Sequence, residues 1–201
     1  MTLSTSALAA LTVLTVALIV LVLVRPAIMR HRVGRLLIFV VFLPLPLLVT
    51  TAGTQEHIEH SKSTQFCLSC HVMEDYGESL HINDSDYLPA VHFQNRLVSQ
   101  DKACFDCHTT YTMYGDMRAK LRGLRHVWVY YAGEIPEQIE LYEPYENREC
   151  LHCHTGGRRF EQGEDHVDFR QELESGETSC LECHEWVHAV DELADLDRWE
   201  P

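Results

Sequence analysis

Apolar residues are concentrated in two runs near the start of this chain. Residues 7–24 read ALAALTVLTVALIVLVLV and contain no charged side chain, and a second run, LLIFVVFLPLPLLV, spans residues 36–49. A helix of about 20 apolar residues crosses the hydrocarbon core of a bilayer. The pattern therefore predicts a hairpin of two transmembrane helices, at about 4–24 and 36–52. Pro44 and Pro46 are expected to kink the second helix.

The loop between these runs carries all the basic residues of the first 53 positions. It reads RPAIMRHRVGR over residues 25–35 and contains four arginines, whereas residues 1–53 contain no Asp, Glu or Lys. The positive-inside rule places this loop in the cytoplasm, so the remainder is expected to face the periplasm from the inner membrane of a bacterium. Two alternatives stay open. The first run could be a cleaved signal peptide, although its usual positive lead-in is missing, or the second run alone could be the anchor.

The rest of the chain is strongly acidic. The formal net charge is −14, and residues 54–201 hold all 30 acidic residues against 12 basic ones. Nucleic acid is excluded as a partner of this part because its surface would repel phosphates. It is also poor in aliphatic residues, so something other than an ordinary apolar core must fill its interior.

All eight cysteines belong to one repeated motif, C-x-x-C-H. The thiols are Cys67 and Cys70, Cys104 and Cys107, Cys150 and Cys153, and Cys180 and Cys183, and the histidines are His71, His108, His154 and His184. Two thiols at this spacing add to the vinyl groups of a haem, and the next histidine can reach the iron. A zinc ribbon or a disulfide scaffold does not need histidine in that slot four times. The sequence therefore predicts four covalently attached c haems.

Four haems in so short a chain would supply most of its interior. The fold class that we expect is mainly α. A membrane anchor occupies residues 1–53, and a periplasmic tetrahaem cytochrome c domain of short helices and loops, with little sheet, occupies residues 54–190. An acidic C-terminal tail follows over residues 191–201, and its simplest interpretation is a solvated helix.

Eight further histidines outside the cytoplasmic loop could supply the sixth iron ligands. They are His57, His60, His81, His92, His126, His152, His166 and His188. A low-potential transfer haem takes a second imidazole. His188 follows His184 by four residues and suits a neighbouring haem, because a haem plane separates its own two ligands. His126 lies in a predicted helix, MRAKLRGLRHVWVYYAG, and His152 is expected to point outward from its motif. The residues alone leave the pairing open.

Together these features resemble the NapC/NirT family of membrane-anchored quinol dehydrogenases, above all its NrfH branch, over about residues 36–190. The first motif continues as CHVM, and in that branch the methionine of C-x-x-C-H-x-M ligates haem 1. The resemblance implies that Met73 binds this iron and that His71 does not. It also implies that His92, His126 and His188 are the distal ligands of three bis-histidine haems.

The same resemblance implies a quinol pocket beside haem 1, where family members place a lysine and an aspartate. Lys120 stands in the corresponding neighbourhood, and Asp116 is the candidate acid–base partner. Two departures accompany the likeness. Arg122 occupies the position before Gly123 where the aspartate is expected, and the family usually has one anchor helix.

The predicted function is electron transfer from membrane quinol, through four haems, to a periplasmic redox partner such as nitrite or nitrate reductase. Membrane lipid, the quinol pool and a hetero-oligomeric complex are the expected partners. Three alternatives stay open. One is an electron-transfer subunit of a larger membrane complex without its own quinol site, which a helical hairpin favours. The others are a haem enzyme acting on a small molecule such as nitrite or hydroxylamine, and an extracellular cytochrome polymer.

Overall fold

The computed structural model of this chain describes residues 4–136, 139 and 143–199. Residues 1–3 of the predicted anchor and 200–201 of the predicted tail lie outside the described residues. The chain forms two compact units, residues 1–61 and residues 62–201. The mainly helical fold class is confirmed, since the β pairing found in the described residues is an isolated bridge between Ile82 and Arg198.

The first unit contains two helical stretches that are long and apolar enough to cross a membrane. The elements are α1 (Thr5–Val24), a 3₁₀ turn (Pro26–Arg30), α2 (Arg32–Phe42) and α3 (Pro44–His60). The Ser4 hydroxyl caps α1 by accepting a hydrogen bond from the amide of Ala7. α2 and α3 are separated at Leu43 because Pro44 cannot donate an amide hydrogen bond, and it becomes the first residue of α3 instead.

α3 continues past the apolar run, so the first unit ends after Ser61 rather than at residue 53. The last two turns of this helix are polar, and Gly53 lies within it without ending it. The helix stops where the Ser61 amide donates a hydrogen bond to the carbonyl of His57. The polar residues after the apolar run also favour a helix, so α3 is longer than the apolar run itself.

The second unit is a succession of short helices and turns. Its α-helices are α4 (Thr64–Cys67), α5 (Glu74–Glu78), α6 (Leu88–Gln94), α7 (Ala103–His108), α8 (Gly115–Ala132), α9 (Asn147–His154), α10 (Arg158–Gln162), α11 (Glu164–Asp168) and α12 (Arg170–Ser175). Its 3₁₀ turns are His71–Met73, Ser79–His81, Gln100–Lys102, Cys180–Glu182 and Leu193–Asp195. The predicted helix around His126 is confirmed as α8.

The apolar core of this unit is small, and the C-terminal segment contributes to it. Ile82, Tyr87, Ala90 and Leu193 are buried together. The described part of the tail is not a solvated helix: the Trp199 amide donates a 2.6 Å hydrogen bond to the carbonyl of His81. Although the tail is acidic, it also contains apolar residues. Burial of these residues against residues 82–90 stabilises the tail more than a solvent-exposed helix would.

Candidate functional site

The four C-x-x-C-H motifs, numbered 1 to 4 in chain order, lie on short helices or turns of the second unit. Motif 1 joins α4 to the turn His71–Met73, motif 2 ends α7, motif 3 ends α9 and motif 4 begins in the turn Cys180–Glu182. All eight cysteines are free thiols. Four thiol pairs, each followed by an imidazole, are the donor set that covalent haem attachment requires.

Motifs 1 and 2 are in contact, and so are motifs 3 and 4. The Cys67 side chain lies next to that of Cys104, and the Cys150 side chain lies next to that of Cys180. Asn147, buried at the start of α9, strengthens the second contact because its Oδ1 accepts a 2.8 Å hydrogen bond from the amide of Cys180. The attachment sites therefore form two adjacent pairs.

Two tyrosines connect these pairs by joining motif 2 to motif 3. The Tyr111 ring is stacked on His152, with centroids 3.8 Å apart and planes 7° apart. The Tyr111 hydroxyl donates a 2.7 Å hydrogen bond to the carbonyl of Asp106, and the Tyr145 hydroxyl donates one to the carbonyl of Cys107. The motifs thus follow one another in space in the order 1, 2, 3, 4.

Three motif histidines each face a second imidazole across a gap of suitable width. The ring centroids of His108 and His188 are 6.2 Å apart, and those of His92 and His154 are 5.9 Å apart. Two imidazole nitrogens on opposite sides of one metal ion are about 4 Å apart, since each bond is about 2 Å long, and this puts the ring centroids about 6 Å apart. Both pairs fit a shared iron.

His166 forms the third such pair. Its ring centroid lies 6.3 Å from that of the motif 4 histidine, His184. A cavity of about 440 Å³ opens beside it and is lined in part by Arg158 and Arg159. Their guanidinium groups suit carboxylates such as haem propionates. Sequence reasoning counted His166 among eight candidates without selecting it, yet a signal was available, since it is the one histidine between motif 3 and motif 4.

The second imidazole of each pair is held by its Nδ1 atom, which leaves Nε2 as the ring nitrogen available to a metal. Nδ1 of His92 lies 2.8 Å from the carbonyl oxygen of Leu88, that of His166 lies 3.2 Å from the carbonyl of Arg159, and that of His188 lies 2.8 Å from Oγ of Ser79. Metal-bound histidines characteristically donate their other ring N–H in this way, which fixes tautomer and orientation.

The environment keeps several of these rings neutral, the form that binds a metal. Burial, reinforced by the nearby His108, lowers the pKa of His188 to about 4. Burial also lowers the pKa of His108 and that of His154. His188 has a φ of 51°, an uncommon value for a residue with a side chain. Such strain occurs at functional sites, and here it accompanies the placement of the ring opposite His108.

Motif 1 has a different environment. The His71 side chain is 87% exposed, and its Nδ1 lies 2.9 Å from a carboxylate oxygen of Glu74. Met73 is half-buried at the end of the same 3₁₀ turn. Ligation of an iron by Met73 instead of His71 stays a prediction.

His126 lies exposed on α8, close enough to His108 to lower the pKa of that histidine. His108 itself faces His188 across the gap described above. The role of His126 as a distal iron ligand therefore stays a prediction.

A cluster of charged side chains lies beside motifs 1 and 2. The nearly buried Lys62 ammonium donates a 2.7 Å hydrogen bond to Asp116, and Oγ1 of Thr109 lies 3.5 Å from the other carboxylate oxygen. The ammonium groups of Lys62 and Lys120 lie 5.3 and 4.7 Å from the centroid of the Phe105 ring. The structure thus brings Asp116 and Lys120 to one place, and it adds Lys62, which sequence reasoning missed.

The described residues contain no group of three or more His, Cys, Asp or Glu side chains that could hold a bare metal ion. A zinc ribbon needs four such ligands converging on one point. The four thiol pairs, each followed by an imidazole, are the donor set of haem attachment.

Comparison with known proteins agrees with this donor set. The family model for the NapC/NirT cytochrome c family, N-terminal region, matches residues 29–193. The chain is 23% identical to cytochrome c-type protein NapC of Haemophilus influenzae over 75% of this chain and 79% of the relative. It is 24% identical to NapC of Escherichia coli K12, covering 77% and 80% of the two chains.

A protein of Allochromatium vinosum whose description includes the words "tetraheme cytochrome-c type" is 25% identical over 65% of this chain and 75% of its own length. No solved structure matches the chain significantly.

Proposed function

Because the chain belongs to the NapC/NirT cytochrome c family, we propose that it carries four c haems and passes electrons from membrane quinol to a periplasmic redox partner. The observation that carries this proposal is the set of three imidazole pairs at 5.9, 6.2 and 6.3 Å, each containing one motif histidine. The two apolar helical stretches and the family relatives are consistent with a membrane-anchored electron-transfer protein.

The ligand assignment follows from these pairs. Bound haem supplies one-electron storage at iron, with a potential set largely by its axial ligands. His108 with His188, His154 with His92, and His184 with His166 would hold three irons between two imidazoles each, and Met73 would hold the first. Each motif lies next to the following one in space, which supports electron transfer between the haems in the order 1, 2, 3, 4.

The charged cluster supports quinol oxidation next to motif 1. Conversion of a quinol to a quinone releases two electrons and two protons, so an electron-accepting group needs a base beside it. The Asp116 carboxylate can accept a proton, and its 61% exposed side chain is open to exchange with solvent. Lys62 fixes this carboxylate by a charge-assisted hydrogen bond. Lys120 can donate a hydrogen bond to a quinol or quinone oxygen.

The test is the rate at which a reduced short-chain quinol reduces the haems of the full-length protein in mild detergent, followed by visible absorbance. Asp116→Asn should slow this step by about 10²-fold, the lower end of the usual contribution of a general base. Reduction by dithionite should be unaffected. Asp168→Asn, the same change at an exposed position on α11, is the matched control.

A second candidate function is an electron-transfer subunit of a larger complex that has no quinol site. The observation that favours it is the pair of membrane-spanning stretches, since a helical hairpin can dock against partner helices. Unchanged quinol oxidation in both Asp116→Asn and Lys120→Met would favour this candidate. Co-purification from mild detergent would then identify the donor complex, and the same preparation would show whether a nitrite or nitrate reductase is the acceptor.

A further inference from the structure

Helix α8 has a charge opposite to that of the domain around it. Its 18 residues, GDMRAKLRGLRHVWVYYA, contain four basic side chains and one acidic one. Residues 54–201 as a whole have 12 basic and 30 acidic residues. A helix with a net positive charge in so acidic a domain is a site to which negatively charged surfaces are attracted.

The helix also exposes a continuous apolar stripe. Met117, Leu121, Leu124, Trp128 and Tyr131 recur every three or four residues, which places them on one side of a helix. We call these five residues the α8 stripe. Leu121 and Leu124 are each 60% exposed, Trp128 is 68% exposed and Tyr131 is 81% exposed. A contiguous exposed apolar surface of this kind marks an interaction site.

The stripe lies beside, and not on, the side of α8 that contacts the rest of the domain. Successive residues of a helix are rotated by about 100°, so the middle of the stripe lies about a quarter of a turn from Asp116 and Lys120. Those two residues contact Lys62 and Phe105, beside motifs 1 and 2. The haem-attachment side of α8 is therefore distinct from the side that carries the stripe.

Arginines border the stripe on its other side. Arg118, Arg122 and Arg125 follow one another at spacings of four and three residues, and Arg118 and Arg122 form ion pairs with Glu143. Arginine beside an apolar face can keep its charge at a lipid headgroup while its methylene groups cover apolar surface. Tryptophan and tyrosine, which form the C-terminal half of the stripe, are enriched at the membrane–water interface.

We propose that α8 lies along the surface of an anionic phospholipid bilayer, with the α8 stripe in the interfacial layer and the arginines against the headgroups. An amphipathic basic helix with Trp and Leu on its apolar face has the composition of an interfacial helix. We favour lipid over a protein partner for the following reason. The basic side chains of α8 would not strengthen an apolar contact with another protein, whereas they are attracted to anionic lipid headgroups. The surface is independent of quinol oxidation, and it would exist in either candidate function.

The experiment uses the full-length, haem-loaded protein in nanodiscs made of equal parts phosphatidylcholine and phosphatidylglycerol. Haem attachment, which rests on the proposed function, would convert all eight natural cysteines to thioethers, so Leu124→Cys introduces one thiol for a nitroxide label. Val167→Cys, an exposed apolar position on α11, is the matched control. Electron paramagnetic resonance power saturation compares access of the label to oxygen, which concentrates in lipid, with access to a water-soluble nickel chelate.

The expected result is a several-fold higher ratio of oxygen to nickel access at position 124 than at position 167. Equal ratios would overturn the proposal, and so would a label at position 124 that neither reagent reaches, because that result means burial under protein. A second measurement needs no substitution. Amide exchange across residues 121–131 of the unaltered protein should be several-fold slower in these nanodiscs than in phosphatidylcholine alone, and equal exchange would overturn the assignment to anionic lipid.

Discussion

Replacement of Asn147 tests how motif 4 is held against motif 3. The Asn147 Nδ2 group donates hydrogen bonds of 2.8 Å to the carbonyl of Leu173 and 2.7 Å to that of Thr178, while Oδ1 accepts one of 2.8 Å from the Cys180 amide. The side chain is buried. One amide group thus satisfies three backbone groups that precede or begin motif 4.

The expected loss follows from these three hydrogen bonds. Each contributes about 1 kcal/mol net, and a buried partner that is left unsatisfied costs about 1–3 kcal/mol. Asn147→Ala removes all three, so the free energy of unfolding should fall by about 3 kcal/mol. Asn147→Asp keeps the acceptor for Cys180 but turns a carboxylate oxygen towards two carbonyls, so its loss should be at least as large.

Urea unfolding of the full-length protein in detergent, followed by far-ultraviolet circular dichroism, measures this loss. Asn95→Ala is the matched control: Asn95 is exposed, and its Nδ2 donates one hydrogen bond to the carbonyl of Val91. This control should change stability by less than about 0.5 kcal/mol. If Asn147→Ala also loses less than about 1 kcal/mol, the three hydrogen bonds do not hold the two motifs together, and the reasoning is refuted.

Three further predictions concern the iron ligands. His166→Ala should convert one low-spin haem to high-spin in electron paramagnetic resonance spectra, whereas His152→Ala should not; three unaltered bis-histidine signals in the first variant would contradict the pairing. Ser79→Ala removes the hydrogen-bond acceptor of His188 Nδ1, which lowers the basicity of that ligand. One haem potential should therefore rise by on the order of 40 mV, the one-electron equivalent of about 1 kcal/mol, and a redox titration with no rise would exclude this effect. Met73→Leu should shift the spectrum and potential of one haem and leave the other three unchanged; a parent-like titration would rule out Met73 as a ligand.

The features that sequence reasoning predicted best depend on residues close together in the chain. Motif spacing is a local property, and the apolar runs and the periodic pattern of α8 extend over single helices. The break at Pro44 was predictable for the same reason, because proline acts on its own helical turn. Asp116 and Lys120, by contrast, were singled out by the resemblance to a family; they lie on one helix four residues apart.

Features that depend on contacts between distant segments were not predicted. Lys62 pairs with Asp116 across more than fifty residues of sequence, and nothing in its immediate neighbours indicates that partner. The packing of Leu193 against Ile82 was missed because the acidic composition of the tail outweighed its few apolar positions. His166 belonged to a set of eight similar candidates, and only the folded arrangement brings it opposite His184.

The pairing of His108 with His188 has a consequence for how the domain folds. Motif 2 precedes motifs 3 and 4 in the chain, but the imidazole opposite its histidine comes after motif 4. The same late segment supplies Leu193 to the core. The domain therefore cannot close around its second motif until the segment after motif 4 is present. Closure of this part of the fold thus depends on contacts between segments that are distant in sequence, and such contacts form slowly.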